Sequence, residues 1–354
     1  MGWEVDLWGR IRRSIEAADA ELDASVEDAR FVLVSLLAET ALGYVDLRRF
    51  QEQERIARAN VDLQTRTLEL TQGQFRANLV SQLDVAQARS LLEDTRSTLP
   101  PLAAEARAAR NRLAVLLGLF PGELEQELAA AGEIPVPPAS VTVGVPAEVL
   151  RRRPDVRAAE RELAAQTARV GVAAAELYPR FTLLGSLGYR AEDAGDLLDD
   201  SAETFSVAPS FRWNVFDRGR LRRAVDVEDA RVDQALALYE RTVLRALEEV
   251  ENAMTRFVRD QESRDALAVA VQEARRALDL SRDQYKQGLV GFQSVLDSQR
   301  RLFQLEERLT TTRASITLNL ILLYRALGGG WSSRDVVLSE PRAGDPRAGD
   351  EDHP

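Results

Sequence analysis

The chain carries one pattern twice. Residues 3–23, WEVDLWGRIRRSIEAADAELD, and residues 213–233, WNVFDRGRLRRAVDVEDARVD, agree at nine of twenty-one positions without a gap, at an offset of 210 residues. The offset pairs Trp3 with Trp213, Gly9 with Gly219 and Arg10 with Arg220. It also holds downstream, where TQGQFRANLV at 71–80 meets SRDQYKQGLV at 281–290 and Gly118 meets Gly328. Helices rich in Ala, Arg, Glu and Leu look alike in general, but composition does not place matched tryptophans and glycines in register.

Proline placement sets where helix can run. None precedes Pro100 and none falls between Pro209 and Pro341, while nine crowd the stretch from Pro100 to Pro179. In the first open tract, from about Arg10 to Gln74, Ile11, Ile15, Ala18, Leu22 and Val26 recur every three or four residues. Leu221, Val225, Val232, Leu236, Val243, Leu247 and Val250 do the same in the second. Roughly 65 residues of helix reach about 100 Å, longer than an ordinary domain. Asn78 and Gly288, residue types that tolerate a left-handed backbone, occupy equivalent positions where each helix would turn back. Return helices then begin at Leu83 and Ser294, and both end at glycine, Gly118 and Gly328. A shorter helix is expected from Pro154 to Leu177, with Pro and Asp155 at its start.

Two segments alternate as strands do. In 205–215, Phe205, Val207, Pro209, Phe211, Trp213 and Val215 fall on one side, and Ser206, Ala208, Ser210, Arg212 and Asn214 on the other. Residues 181–190 behave similarly through Phe181, Leu183, Leu187 and Tyr189, with Leu184 blurring the contrast. A polar loop, 191–204, would join them into a hairpin. The strands alone fit either a sheet packed on a soluble core or a lipid-embedded barrel. The aromatic face has no remaining globular segment to cover it, and two strands cannot close a barrel without oligomerisation.

Composition narrows the chemistry. With 46 basic against 57 acidic residues the net charge is −11, and no polybasic groove is evident, which argues against nucleic acid. Cysteine is absent and the one histidine, His353, sits in a polar tail, so disulfides, thiol catalysis and thiolate metal sites are excluded. No cofactor or metal is expected, and no catalytic constellation is visible. No apolar run approaches the length of a membrane-spanning helix, and the N-terminus lacks an export or lipidation signal. The arginines of RRRP at 151–154 fit ion pairs better than a phosphate site. Around the second turn, Tyr285, Lys286, Gln287, Gly288, Ser294 and Asp297 gather polar groups that, in several copies, would ring an opening; Asp84 follows the first turn. Asp297 taken alone fits an ordinary helix cap or tip salt bridge better than a gate.

The segment RRRPDVRAAERELAAQTARVGVAAAELYPRFTLLGSLGY at 151–189 resembles the central signature of the TolC-type outer-membrane factors, in their OprM/NodT-like efflux branch. WEVDLWGRIRR, LDVAQAR and QYKQGLVGFQSVLDSQR match in the same order, and the resemblance runs from about residue 2 to 332. It implies a mainly α fold with membrane strands: a homotrimer in which each protomer gives four strands to a twelve-stranded barrel and long helices to a periplasmic α-barrel. Such proteins are exit ducts of tripartite pumps, in outer-membrane lipid, served by a periplasmic adaptor and an inner-membrane transporter. They export drugs, dyes, detergents and other small molecules.

Carried over by position, Asp297 and Tyr285 correspond to an aspartate at the constricted entrance and a tyrosine that holds the inner hairpin closed. Ser294 stands where relatives can carry another aspartate, and Val290 where they can carry arginine, so a single Asp297 ring is the expectation. Asn78, Leu79, Val80, Asp84, Gly288 and Leu289 are hairpin-tip and adaptor-contact candidates; Phe205, Val207, Phe211 and Trp213 are the candidate membrane strand face. The expected organisation is a first repeat at 1–134, a linker at 135–153, a second repeat at 154–331 and a disordered tail at 332–354. The family's signal peptide, lipidated cysteine, first hairpin and first strand would precede Met1, so the sequence reads as truncated, with the fourth strand missing. A non-conducting periplasmic helical scaffold or adaptor is the alternative; a helical toxin or surface secretion factor has no motif in its favour.

Overall fold

The computed structural model describes residues 2–138, 151–190 and 203–329. Two compact units share the chain: Met1–Phe31 with Ala147–Leu247, and Val32–Pro146 with Glu248–Pro354. Strand β1 (Gly2–Val5) leads into α1 (Arg10–Arg76), a helix of 67 residues, followed by α2 (Gln82–Ser97), α3 (Leu99–Leu116) and the short α4 (Glu125–Leu128). After α5 (Pro154–Ala175) come β2 (Arg180–Tyr189) and β3 (Glu203–Arg212). The chain then runs through α6 (Arg218–Lys286), 69 residues long, and α7 (Phe292–Ala326). Residues 191–202 of the expected loop, the tail at 332–354 and most of the linker lie outside the described residues. Among the described residues no helix is long and apolar enough to cross a membrane.

The first unit holds an antiparallel sheet of order β1-β2-β3. Trp3 faces Leu183, Val5 faces Phe181, and Phe181 in turn faces Phe211, so alternation carries one apolar face across all three strands. β3 stops at Arg212, which removes Trp213 and Val215 from the strand face that the alternation predicted. The cause is opposite them: Arg180 pairs with Arg212, and the next position on β2 is Pro179, which has no N–H to extend the ladder. Trp213 instead donates its indole N–H to the Leu177 carbonyl at 3.2 Å, as Trp8 does to the Pro179 carbonyl at 2.9 Å while stacking on Tyr178.

Helix starts in this unit are tied by charge. Both oxygens of Asp6 accept backbone N–H groups of α1, from Ile11 at 3.0 Å and Arg12 at 2.9 Å. Burial opposes the Asp6 carboxylate, but these bonds outweigh it and hold its pKa below the usual value. Pro154 opens α5 as expected, and buried Arg153 grips Asp155 with two nitrogens, at 3.0 and 2.8 Å. Arg157 reaches Glu27 on α1 at 3.1 Å, so the basic run does form intrachain ion pairs. Small residues let α5 approach α1: a side chain at Gly171 would meet Arg13 Cγ at 3.0 Å.

In the second unit α1 and α6 each turn back through the same cap. Asn78 (φ 58°) donates to the Phe75 carbonyl and Leu79 to the Gln74 carbonyl, each at 2.9 Å. Gly288 (φ 75°) and Leu289 repeat both bonds, to Tyr285 and Gln284. The returns also end alike, with Gly118 (φ 73°) and Gly328 (φ 67°) left-handed. They differ in between, because α7 is continuous whereas the first return breaks at Thr98. Pro100 and Pro101 lack the N–H groups that would join α2 to α3, and so occupy the first turn of a new helix. Leu47, Leu113 and Ala114 pack α1 to α3, and Leu267, Leu278 and Leu305 pack α6 to α7.

Two substitutions separate backbone strain from crowding at these turns. A Cβ at Gly288 would meet nothing within 4 Å, so Gly288→Ala should cost about 1–2 kcal/mol through φ alone. Asn78→Gly should leave stability unchanged or slightly raised. Thermal unfolding in detergent reads both, and equal losses at the two sites would contradict the left-handed-cap account.

Candidate functional site at the hairpin tips

The tips present apolar side chains at the turns and polar ones just behind. Leu79 is 73% exposed and Leu289 69%, whereas Val80 and Val290, which follow them, are half-buried. On the first hairpin, Ser81 caps α2 through a reciprocal pair. Asp84 receives the Ser81 N–H at 2.9 Å and hydroxyl at 2.8 Å, and the Asp84 N–H returns to Ser81 Oγ at 3.3 Å. The second hairpin replaces that pair with Gly291 and Ser294, and Gly291 makes no side-chain cap bond.

Tyr285 ties the hairpins together. Its ring lies 5.4 Å from Phe292, and its hydroxyl donates to Gln74 Oε1, at the end of α1, at 3.1 Å. The ring also joins the core of Leu68, Leu91, Leu92 and Leu296. Burial raises the Tyr285 pKa and the charge of Asp84 raises it further, so the phenol stays a hydrogen-bond donor at neutral pH. Its counterpart in the first repeat is Phe75, which has no hydroxyl. Asp297 is exposed on α7, accepting from Gln293 Nε2 at 2.9 Å and Arg300 Nη1 at 3.3 Å. Ser294 is exposed and its carbonyl accepts from the Ser298 hydroxyl at 2.8 Å.

On the sheet, Phe205 (80% exposed), Val207 and Phe211 have no covering element among the described residues. The opposite face is hydroxyl-lined: Thr182 bonds Ser210 at 2.6 Å and Ser186 bonds Ser206 at 2.8 Å. An uncovered aromatic face backed by a hydrated one is the two-solvent pattern of a barrel wall.

The family described as "Outer membrane efflux protein" matches residues 1–119 and 145–329. The chain belongs to the outer membrane efflux protein family. It is 34% identical over 334 residues to the pyoverdine export outer membrane protein OpmQ of Pseudomonas putida, covering 94% of this chain and 70% of that one. Against the toluene efflux pump outer membrane protein TtgF of the same species it is 30% identical over 341 residues, 96% and 70%. The solved outer-membrane channel OprN superposes with a TM-score of 0.89 at 39% identity, over 93% of this chain and 74% of that one. This efflux protein is therefore a channel component of an efflux pump, in the outer membrane with a helical periplasmic extension.

Sequence reasoning missed part of the efflux protein's tip region. Asn60, Gln64 and Thr71 are buried on α1, and Thr67 receives Gln299 Nε2 of α7 at 3.0 Å. Positions 60, 64, 67 and 71 keep helical spacing, so a polar stripe on the buried side was the available signal. Gln74, Gln293 and Arg300 were also unmarked: only the fold puts Gln74 beside Tyr285, whereas Gln293 and Arg300, four before and three after Asp297, were available from helical spacing.

Tyr285→Phe keeps the ring on Phe292 and removes only the bond to Gln74, which should cost about 0.5–1.5 kcal/mol. Hydrogen exchange at residues 74–80 and 285–291 should quicken, and Gln74→Ala should add little to it. Independent, additive effects of the two changes would refute the pairing.

Proposed function

We propose that three protomers close one barrel, to which this chain contributes its three strands, and one tunnel, to which it contributes its helical hairpins, forming the passive duct of a tripartite efflux pump. The observation that carries this reading is the sheet with opposite solvents on its two faces and open strand edges, which another copy can complete. Phe205, Val207 and Phe211 meet lipid, and Trp213, beyond the strand, serves as an aromatic anchor at its boundary. A periplasmic adaptor and an inner-membrane transporter supply recruitment and energy; the chain itself conducts and catalyses nothing. The cargo is small molecules such as drugs; relatives are named for the efflux of toluene and the export of pyoverdine.

The two repeats, 1–134 and 154–331, are joined in sequence by the linker 135–153, and their turns form the periplasmic entrance. Asp297 supplies one acidic ring there, tempered by Arg300 on its own helix. Tyr285 latches the inner hairpin, while Ser294 and Val290 leave that latch without a second acid or an arginine. Asn78, Leu79, Val80, Asp84, Gly288 and Leu289 offer the adaptor a contact surface, with the exposed leucines as its apolar part.

Reconstituted in planar bilayers, the complete gene product should give discrete conductance. Asp297→Ala should raise that conductance and weaken cation preference. Absence of channels would overturn the duct, and unchanged preference would remove Asp297 from the entrance.

A further inference from the structure

Basic side chains converge on the hydroxyl-lined face of the sheet, at the end where its strands join helices. Arg180 opens β2, Arg212 closes β3, and the register sets the two directly opposite each other. Alternation places both on the side of Thr182 and Ser210, away from Phe181 and Phe211. Like charges so placed repel.

The acids nearby are engaged elsewhere. Glu4, the neighbour of Thr182 on β1, accepts Arg10 Nε at 2.9 Å and Nη2 at 2.7 Å. Glu176 pairs with Arg180, Glu4 also senses Arg180, and Arg10 also senses Glu176. Glu4 and Glu176 thus answer Arg10 and Arg180, and Asp6, itself bonded to Arg12, lies within reach of Glu4 and Arg10. Arg212 is exposed and has no ion-pair partner among the described residues. Everywhere else β3 presents serine, threonine or alanine on this face, and any of them at 212 would avoid the repulsion with Arg180.

We propose that Arg212 makes the barrel end of the duct locally attractive to anions: its copies form a guanidinium collar at the base of the barrel lumen that transiently holds carboxylate-bearing solutes. The inference rests on the trimeric-duct reading. A guanidinium presents a planar fork that matches a carboxylate with two parallel bonds. A ring of one sign inside low-dielectric walls concentrates counter-ions. The collar lies on the sheet, apart from the acidic entrance at the tips, and its charge is opposite.

The test is the reversal potential of single channels in a potassium chloride gradient, for wild type, Arg212→Gln and Arg212→Lys. Loss of a collar worth one kT per unit charge changes chloride and potassium by about e-fold in opposite directions and so lowers the chloride-to-potassium permeability ratio about sevenfold, and the ratio in Arg212→Gln should fall by roughly that near 0.1 M salt. Arg212→Lys should keep the wild-type ratio. The difference should shrink at 1 M, where the screening length drops to about 3 Å. Channels of normal conductance with an unchanged ratio in Arg212→Gln would overturn the collar and leave the duct standing. Absence of channels in all three proteins would overturn both.

Discussion

Each face of the β1–β2–β3 sheet needs a different solvent. Phe181, Phe205, Val207 and Phe211 lie on one side, and transfer of such side chains from water is favourable by about 25 cal/mol per Å². The paired hydroxyls of Thr182, Ser186, Ser206 and Ser210 lie on the other, and burial without further partners is costly for groups of that kind. No described element covers the apolar side. A wall between lipid and water satisfies both, and it adds a second demand, because an open strand edge in lipid leaves N–H and C=O groups unpaired. Pro179 limits the wall from below by ending the ladder, and the indoles of Trp8 and Trp213 fasten to carbonyls at that same edge.

Helix length follows from proline exclusion, and the turns follow from four left-handed caps spaced by the repeat. Identity of the caps does not make the hairpins equivalent. The first return is jointed at Thr98 and starts with a strong cap from Ser81 and Asp84; the second is one helix that starts with an uncapped glycine. Tyr285 adds a bond that Phe75 cannot make. Duplication thus set the length and the turning points, and later divergence set which hairpin is stiff along its return and which is held at its tip.

What could be read in advance depended on whether the cause was local. Asn78 and Gly288 were legible because a left-handed residue must be one of few types, and the strand faces were legible because alternation has a period of two. The end of β3 was not, since it depends on Pro179, a residue distant in sequence and opposite only after pairing. Asp84 was visible as an acid near a turn, but its engagement by Ser81 appears only in the cap geometry. The salt bridge considered for Asp297 is present, with Arg300 one turn away; its part in an entrance depends on other copies of the chain.

The seam between the hairpins is the place where the fold forgoes stability. Gln64 and Gln299 are 2% and 1% exposed, yet both polar atoms of the Gln64 side chain and Oε1 of Gln299 make no hydrogen bond among the described residues. Leucine at either position would avoid the desolvation penalty of an unpaired amide, about 1–3 kcal/mol for each group. The flanking layers are well packed, with Leu68, Leu91 and Leu92 toward the tips and Ile56, Ala57 and Phe303 farther along. Separation of the hairpins therefore costs least along the glutamine stripe and most at its ends, where Tyr285 and these apolar layers hold. The weakest part of the seam is therefore its middle, between the apolar layers at Leu68 and at Ile56.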